Sequence, residues 1–171
     1  MGEAEWSTGA GPAMLGVMEL TVFEEVAEAI RGLVPPNLGE VRSHVRRYGI
    51  KVWFGTERPP REHYEAQVIG AEGVEGATVL ALEVGFHAEH PQVSENEKTM
   101  ARLLASEKRW RKVVGREPVA GPFLGRPDLW RRVSEAWPDP DLGNSELPFE
   151  VAARLTDYVI ALEPVLRGAR G

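Results

Sequence analysis

Four side chains able to bind metals or move protons lie in two short apolar stretches: His63, Glu65, Glu83 and His87. Residues 63–69 and 78–90 each alternate between apolar and polar side chains, as a β-strand does. A strand points alternate side chains to opposite faces, so each stretch carries one acid and one imidazole on the same face. If the two strands pair with these faces together, directly opposite groups lie about 5 Å apart. That distance lets them shift one another's pKa or hold a metal.

Two kinds of chemistry follow from this grouping. As metal ligands, His63, Glu65, Glu83 and His87 offer imidazole nitrogens and carboxylate oxygens, which suit Zn, Mn, Fe or Ni. As a catalytic group, Glu65, Glu83 and His87 would act on a metal-bound water, with His87 as ligand or general base. Two plainer interpretations stay open. The four residues form polar pairs in a subunit interface, or a solvated sheet face whose cross-strand pairs contribute about 0.2–1 kcal/mol each.

Two further histidines lie close to this group in the sequence. His90 follows His87 by three residues, a spacing that suits one metal on a helix. At the end of a strand the two side chains diverge, so a joint metal site is not expected. His44 alternates with Arg42 and Arg46 on a neighbouring predicted strand. We expect this basic stripe to be exposed, where it can form a rim that binds anions.

Hydrophobic periodicity and turn residues predict the elements that position these groups. Helices are predicted at residues 22–34, at residues 94–114, and from about residue 145 to Pro164. Strands are predicted at residues 41–48, 50–54, 63–69, 78–90, 119–124 and 129–137. Thr21 with Glu24, and Ser94 with Glu97, have the spacing of capping boxes at the starts of the first two helices.

The predicted order of elements is therefore α-β-β-β-β-α-β-β-α. This order favours an α+β fold: an antiparallel, or in part mixed, sheet of five to six strands with three helices packed mainly on one face. The 171 residues are expected to form a flexible N-terminal tail (1–19), a single α+β domain (20–167) and a frayed C-terminus (168–171).

Composition excludes several functions. The formal net charge of −6 argues against nucleic acid as a partner. The chain has no cysteine, which excludes disulfides, thiol catalysis and cysteine-ligated metals and is typical of the reducing cytoplasm. No apolar run approaches the roughly 20 residues that cross a bilayer, so no membrane association is expected. No Walker or dinucleotide glycine motif occurs, so no nucleotide cofactor is expected.

The element order over about residues 20–125 resembles the core of the PD-(D/E)XK nuclease fold. In that family an acidic residue on one strand and a Glu-x-Lys motif on the next hold magnesium and position the attacking water. The Glu-x-Lys motif falls here on Glu83-Val84-Gly85, where glycine stands in place of lysine. Lys51, on an adjacent predicted strand, is a candidate substitute for that lysine.

These observations favour a cytoplasmic, homodimeric protein that acts as a non-catalytic binding or interaction module through the polar face of its sheet or an edge strand. The protein or small-molecule ligand is not specified by the sequence. The alternative is a nuclease-like, metal-dependent hydrolase with a Glu/His site on adjacent strands. A divalent metal is the one cofactor that the sequence supports.

Overall fold

The computed structural model describes the backbone of residues 12–168 and the side chains of residues 22–168. It contains four α-helices: α1 (Pro12–Leu33), α2 (Val93–Ala105), α3 (Glu107–Val114) and α4 (Leu147–Gly168). It contains six strands: β1 (Arg42–Arg46), β2 (Gly49–Trp53), β3 (Glu62–Gly70), β4 (Leu80–Ala88), β5 (Val119–Pro122) and β6 (Arg131–Pro138). A 3₁₀ turn spans Pro36–Leu38. Of the tail predicted at residues 1–19, residues 12–19 belong to α1. Residues 1–11 of that tail, and residues 169–171 of the frayed end predicted at 168–171, lie outside the described residues.

The six strands form one sheet in the order β1-β2-β3-β4-β6-β5. Every neighbouring pair is antiparallel. The first four strands follow each other as hairpins, while β6 pairs with β4 and places β5 at the edge. The predicted α+β class and the antiparallel sheet are confirmed.

One face of the sheet is apolar because of the alternation seen in the sequence. On this face the paired residues Val52, Tyr64, Phe86 and Val133 form a row across four strands. Helices α1 and α4 pack over this row, and side chains of all four helices join the same buried core. The four helices therefore pack on the apolar face, and the opposite, polar face of the sheet carries no helix.

The second predicted helix is two helices in the structure. Helix α2 ends at Ala105, and α3 starts at Glu107. The break at Ser106 turns the fully buried Trp110 inward, where its indole Nε1 donates a 2.7 Å hydrogen bond to the Leu103 carbonyl. The break therefore supplies an acceptor for a buried indole N–H. Helical periodicity continues across Ser106, which is why the sequence predicts a single helix.

Both predicted capping boxes are wrong. Helix α1 begins at Pro12, so Thr21 lies within it. Helix α2 begins at Val93 with Gln92 at its N-cap, and Gln92 makes no side-chain capping bond. Asn96, in the first turn of α2, instead bonds to the backbone of His90 through both ends of its amide. This tertiary contact fixes the path from β4 into the helix.

Within the part of the chain that the structure describes, no helix combines the length and apolar character needed to span a membrane.

A candidate metal centre on the polar face

The register between β3 and β4 brings the predicted site residues together. His63 lies opposite His87, Gln67 lies opposite Glu83, and Glu65 lies opposite Gly85. Their side chains all project from the face that carries no helix. The two strands therefore pair with their polar faces together, as the sequence analysis required.

All four predicted residues are buried. The exposed fractions are 0% for His63 and His87, 2% for Glu65 and 1% for Glu83. The interpretation of these four residues as part of a solvated surface is therefore wrong. The same burial keeps these four side chains from being a contact surface for a partner.

Aromatic residues close one side of the cluster. Phe123, just after β5, places its ring 4.7 Å from the His87 ring at an interplanar angle of 88°. Trp130 packs against Phe123 in turn, with ring centroids 5.5 Å apart. The connection between β5 and β6 thus shields His87 from water, which strengthens every electrostatic interaction in the cluster.

Four ligand atoms converge at the centre of the cluster: His63 Nε2, His87 Nδ1, Glu65 Oε2 and Glu89 Oε1. Glu65 Oε2 lies 3.0 Å from each of the two histidine nitrogens. Glu89 Oε1 lies 3.5 Å from each of the same nitrogens. We call these four residues the inner cluster.

The spacing of the inner cluster suits a small tetrahedral cation. Ligand atoms at about 2.05 Å from one zinc ion lie about 3.3 Å from one another. Four of the six separations in the inner cluster are 3.0–3.5 Å, and all of them are within 4.8 Å. The donors are two imidazole nitrogens and two carboxylate oxygens, a set that zinc and its neighbours accept.

Glu89 is the member of the inner cluster that the sequence analysis missed. It lies just beyond the end of β4 in the structure but within the strand predicted at residues 78–90. Its backbone N–H donates a 2.7 Å bond to the Arg61 carbonyl, so the strand pairing continues for one residue more. The available signal was its position two residues after His87, which is the same face of an extended strand.

Glu83, predicted as a ligand and a catalytic residue, lies behind His87 instead of in the inner cluster. Its Oε1 is 3.0 Å from His87 Nε2, the nitrogen that faces away from the centre. Gln67 Nε2 and Ser134 Oγ each donate a 2.8 Å bond to the Glu83 carboxylate. Glu83 therefore orients the His87 ring, as a carboxylate beyond a metal-ligating histidine does.

Gly85 makes this arrangement sterically possible. It lies between Glu83 and His87 on the same face, so the two long side chains reach each other across a position with no side chain. A Cβ at Gly85 would lie 2.4 Å from the Val133 carbonyl oxygen and 2.5 Å from Ser134 Cα. Gly85 stands where the nuclease motif has lysine. Glycine is required at this position because β4 and β6 approach each other closely.

Each remaining member of the inner cluster also has a partner on its outer side. His63 Nδ1 lies 3.2 Å from the Pro60 carbonyl oxygen. Arg46 of β1 donates to Glu65 Oε1, and Lys51 Nζ donates a 3.2 Å bond to Glu89 Oε2. Lys51 is therefore on the same face as the cluster, where its ammonium group neutralises a carboxylate.

Opposite charges in close contact shift the ionisation of these groups. Burial by itself raises the pKa of Glu65 and of Glu89, but hydrogen bonds from the two histidines outweigh it and hold both pKa values far below the usual range. Burial likewise opposes ionisation of Glu83, and the charge of His87 lowers the pKa of that carboxyl. Burial lowers the pKa of His87, while the charge of Glu83 raises it well above its ordinary value.

Hydrogen-bond donors and acceptors in the inner cluster balance if the histidine nitrogens carry protons or if a cation lies at its centre. A carbonyl oxygen can only accept, so Pro60 fixes a proton on His63 Nδ1. His63 Nε2 and both nitrogens of His87 face carboxylate oxygens, which also accept when ionised. Either protons or one metal ion must separate the inner nitrogens from the carboxylates. A metal ion would replace the inner protons and leave the outer hydrogen bonds intact.

The other histidines stay outside the cluster. His90 Nε2 lies 3.6 Å from Glu62 Oε2, and Glu62 projects from the apolar side of β3, so the predicted divergence of His87 and His90 is confirmed. His44 is exposed on β1 between Arg42 and Arg46, as the predicted basic stripe requires.

The fold and the site define an α+β protein with a buried cluster of two histidines and two carboxylates on the helix-free face of an antiparallel sheet. No protein-family model, curated protein or solved structure matches the chain.

Proposed function

We propose that this protein binds one divalent transition-metal ion through His63, Glu65, His87 and Glu89, and that it acts as a binding module. The supporting observation is the convergence of two nitrogens and two oxygens at 3.0–3.5 Å. Each of these side chains also has an outer partner that fixes its orientation, a feature of natural metal sites.

The burial of the cluster favours binding over catalysis. A catalytic zinc site keeps one coordination position open to water or substrate, whereas a structural site is closed by four protein ligands. Here four protein ligands are in place, and the most exposed of them, Glu89, has a side chain that is 12% exposed. A metal-dependent hydrolase, the alternative from the sequence, would need one of these ligands to be displaced by water.

The donor set also favours particular ions. Imidazole nitrogen is a poor ligand for magnesium and calcium, which prefer oxygen donors and six or more ligands. Zinc accepts four ligands of mixed nitrogen and oxygen type, and cobalt(II) is its usual spectroscopic substitute. We therefore expect zinc to bind more tightly than magnesium or calcium.

Metal analysis of protein purified without a histidine tag tests this proposal. We expect one zinc ion per chain after dialysis, and visible absorption typical of tetrahedral cobalt(II) after substitution. Glu89→Gln should lose the ion while keeping its fold, because Glu89 lies at the edge of the cluster. Glu97→Gln is the matched control, since it removes the same charge from a side chain that is 61% exposed.

Three outcomes would contradict the proposal. The first is a chain that holds no zinc. The second is an equal effect of the two substitutions. The third is hydrolysis of a phosphodiester by the metal-loaded protein that stops in Glu89→Gln, which would favour the hydrolase instead.

We further propose that the protein works in the cytoplasm and forms a homodimer through an edge strand. The absence of cysteine supports a reducing compartment. Strand β1 lies at an edge of the sheet, where unpaired backbone groups can pair with a second copy. A single monomeric species in light scattering at tens of micromolar would contradict the dimer.

A further inference from the structure

Trp53 carries a buried donor that lacks an acceptor. Its exposed fraction is 4%, and its indole Nε1 is the one buried side-chain polar atom of the described residues without a hydrogen-bond partner. Two other indoles differ: the buried Trp110 donates to the Leu103 carbonyl, and the partly buried Trp137 donates to Glu135. Because a buried N–H without a partner costs free energy, such a group points to an acceptor supplied from outside the chain.

The position of Trp53 links the basic edge of the sheet to the inner cluster. Trp53 lies opposite Arg42 in the β1–β2 ladder. In the β2–β3 ladder the residue before it, Val52, pairs with Tyr64, which follows His63 in β3. Trp53 also shares the face of Lys51, which bonds to Glu89. The indole thus lies between a strand of cationic side chains and the candidate metal centre.

The cationic side chains around Trp53 are weakly neutralised. The Arg58 guanidinium lies 5.4 Å from the centre of the Trp53 ring, and no carboxylate of the described residues pairs with it. Arg42 has one carboxylate neighbour, Glu40, at 3.8 Å, and the Glu40 side chain is 80% exposed. The Arg58 and Arg42 guanidinium groups are therefore available to pair with an anion.

We propose that Trp53, Arg42 and Arg58 form a binding site for an oxyanion, a phosphate or carboxylate group of a small ligand. An anionic oxygen accepts from the indole N–H, and the guanidinium groups pair with the remaining oxygens, since their planar donors match such groups. This site goes beyond the proposed metal binding and does not need the metal.

NMR spectra of the ¹⁵N-labelled full chain test the proposal. The chain has five tryptophans, so five indole N–H signals are expected, and Trp53→Phe identifies the signal of Trp53. Chelator-treated protein is titrated separately with inorganic phosphate, with acetate and with sodium chloride at equal ionic strength. We expect a saturable shift of the Trp53 signal with phosphate or acetate, while the signals of Trp110 and Trp137 stay in place.

Substitutions of the arginines sharpen the test. Arg58→Gln and Arg42→Gln should each weaken the binding of the anion about tenfold, which corresponds to about 1.4 kcal/mol. Arg47→Gln is a matched control, because Arg47 is also exposed and stacks on a ring, that of Tyr48 at 5.1 Å. It should leave the binding unchanged.

The two oxyanions distinguish the source of the ligand group. Tighter binding of phosphate assigns a phosphorylated ligand, and tighter binding of acetate assigns a carboxylic acid. A Trp53 signal that stays in place would overturn the proposal. So would an equal response to chloride, or an equal loss of binding in Arg47→Gln. Because the protein is metal-free in this experiment, failure here leaves the metal proposal standing, and the reverse also holds.

Discussion

Two buried charged clusters lie on opposite faces of the same sheet, and they differ in the kind of donor that surrounds the carboxylates. On the helix face, Glu135 of β6 accepts from Arg154, Trp137 and Tyr158. On the other face, the inner cluster of His63, Glu65, His87 and Glu89 pairs its carboxylates mainly with imidazoles. Both clusters are well bonded, so hydrogen-bond satisfaction alone does not separate a structural cluster from a functional one.

The two clusters differ in whether a metal ion can replace the protons of their hydrogen-bond donors. Arginine keeps its proton at any accessible pH, and indole and phenol lose theirs only under strongly basic conditions. Burial and the charge of Glu135 raise the pKa of Tyr158 still further. The Glu135 cluster therefore has no position that a metal ion can take. The imidazole protons of the inner cluster are replaceable, which is what a metal site requires.

The largest effect is expected from Arg154→Leu, which breaks the helix-face cluster. The substitution leaves the Glu135 carboxylate, 9% exposed, without its cationic partner. We expect a loss of about 3 kcal/mol in the free energy of unfolding, near the lower end for a broken buried pair because Arg154 is partly exposed. Urea denaturation measures this loss. Bound zinc per folded chain should not change, and a loss of zinc would show that the two clusters are coupled.

Gly85→Ala tests how closely β4 and β6 must approach beneath the inner cluster. A methyl group at Gly85 meets backbone atoms of Val133 and Ser134 at 2.4–2.5 Å. Because backbone atoms move less readily than a side chain does, we expect a loss of about 1–3 kcal/mol in the free energy of unfolding. Gly121→Ala, also in a strand but with nothing within 4 Å of the added Cβ, is the matched control. Similar melting temperatures for the two variants would contradict the steric argument.

Glu83→Gln distinguishes an outer carboxylate from a ligand. Glutamine still accepts from His87 Nε2 but lacks the negative charge that holds the ring. We expect zinc affinity to fall about 10- to 100-fold, as for other residues beyond the ligands, with one ion still bound at saturation. Calorimetric titration with zinc measures both quantities. Complete loss of binding would show that Glu83 is itself a ligand, as the sequence analysis predicted.

The smallest effect concerns pH. The pKa of His87 in the folded protein is raised well above its ordinary value of 6.5. Its contribution to stability is therefore fully present below about pH 6.5 and is lost as the pH rises through the folded value. In the metal-free protein the free energy of unfolding should decline on the alkaline side, and Glu83→Gln should reduce this decline. Urea denaturation at several pH values measures it, and an unchanged slope in Glu83→Gln would contradict the assignment.

Local patterns in the sequence predicted much of the fold. Strict alternation in residues 63–69 and 78–90 predicted β3 and β4 within a few residues, because alternate side chains of a strand must face a core and its opposite side. Short turns between strands predicted the antiparallel sheet. The capping box predicted at Thr21 failed because α1 begins earlier, at Pro12. The capping box at Ser94 and the single helix at residues 94–114 failed because Asn96 bonds to distant backbone and Trp110 to preceding backbone, and these contacts determine where α2 begins and ends.

The sequence by itself determined that His63 shares a strand face with Glu65, and Glu83 with His87, since side-chain direction along a strand is a local property. Only the tertiary structure decided which of them converge. The register sets Glu65 opposite Gly85. The pairing of Glu89 with Arg61 extends β4 by one residue, and the ring of Phe123, just after β5, covers His87. Distances between side chains on different strands depend on this long-range pairing and packing, which no local sequence pattern encodes.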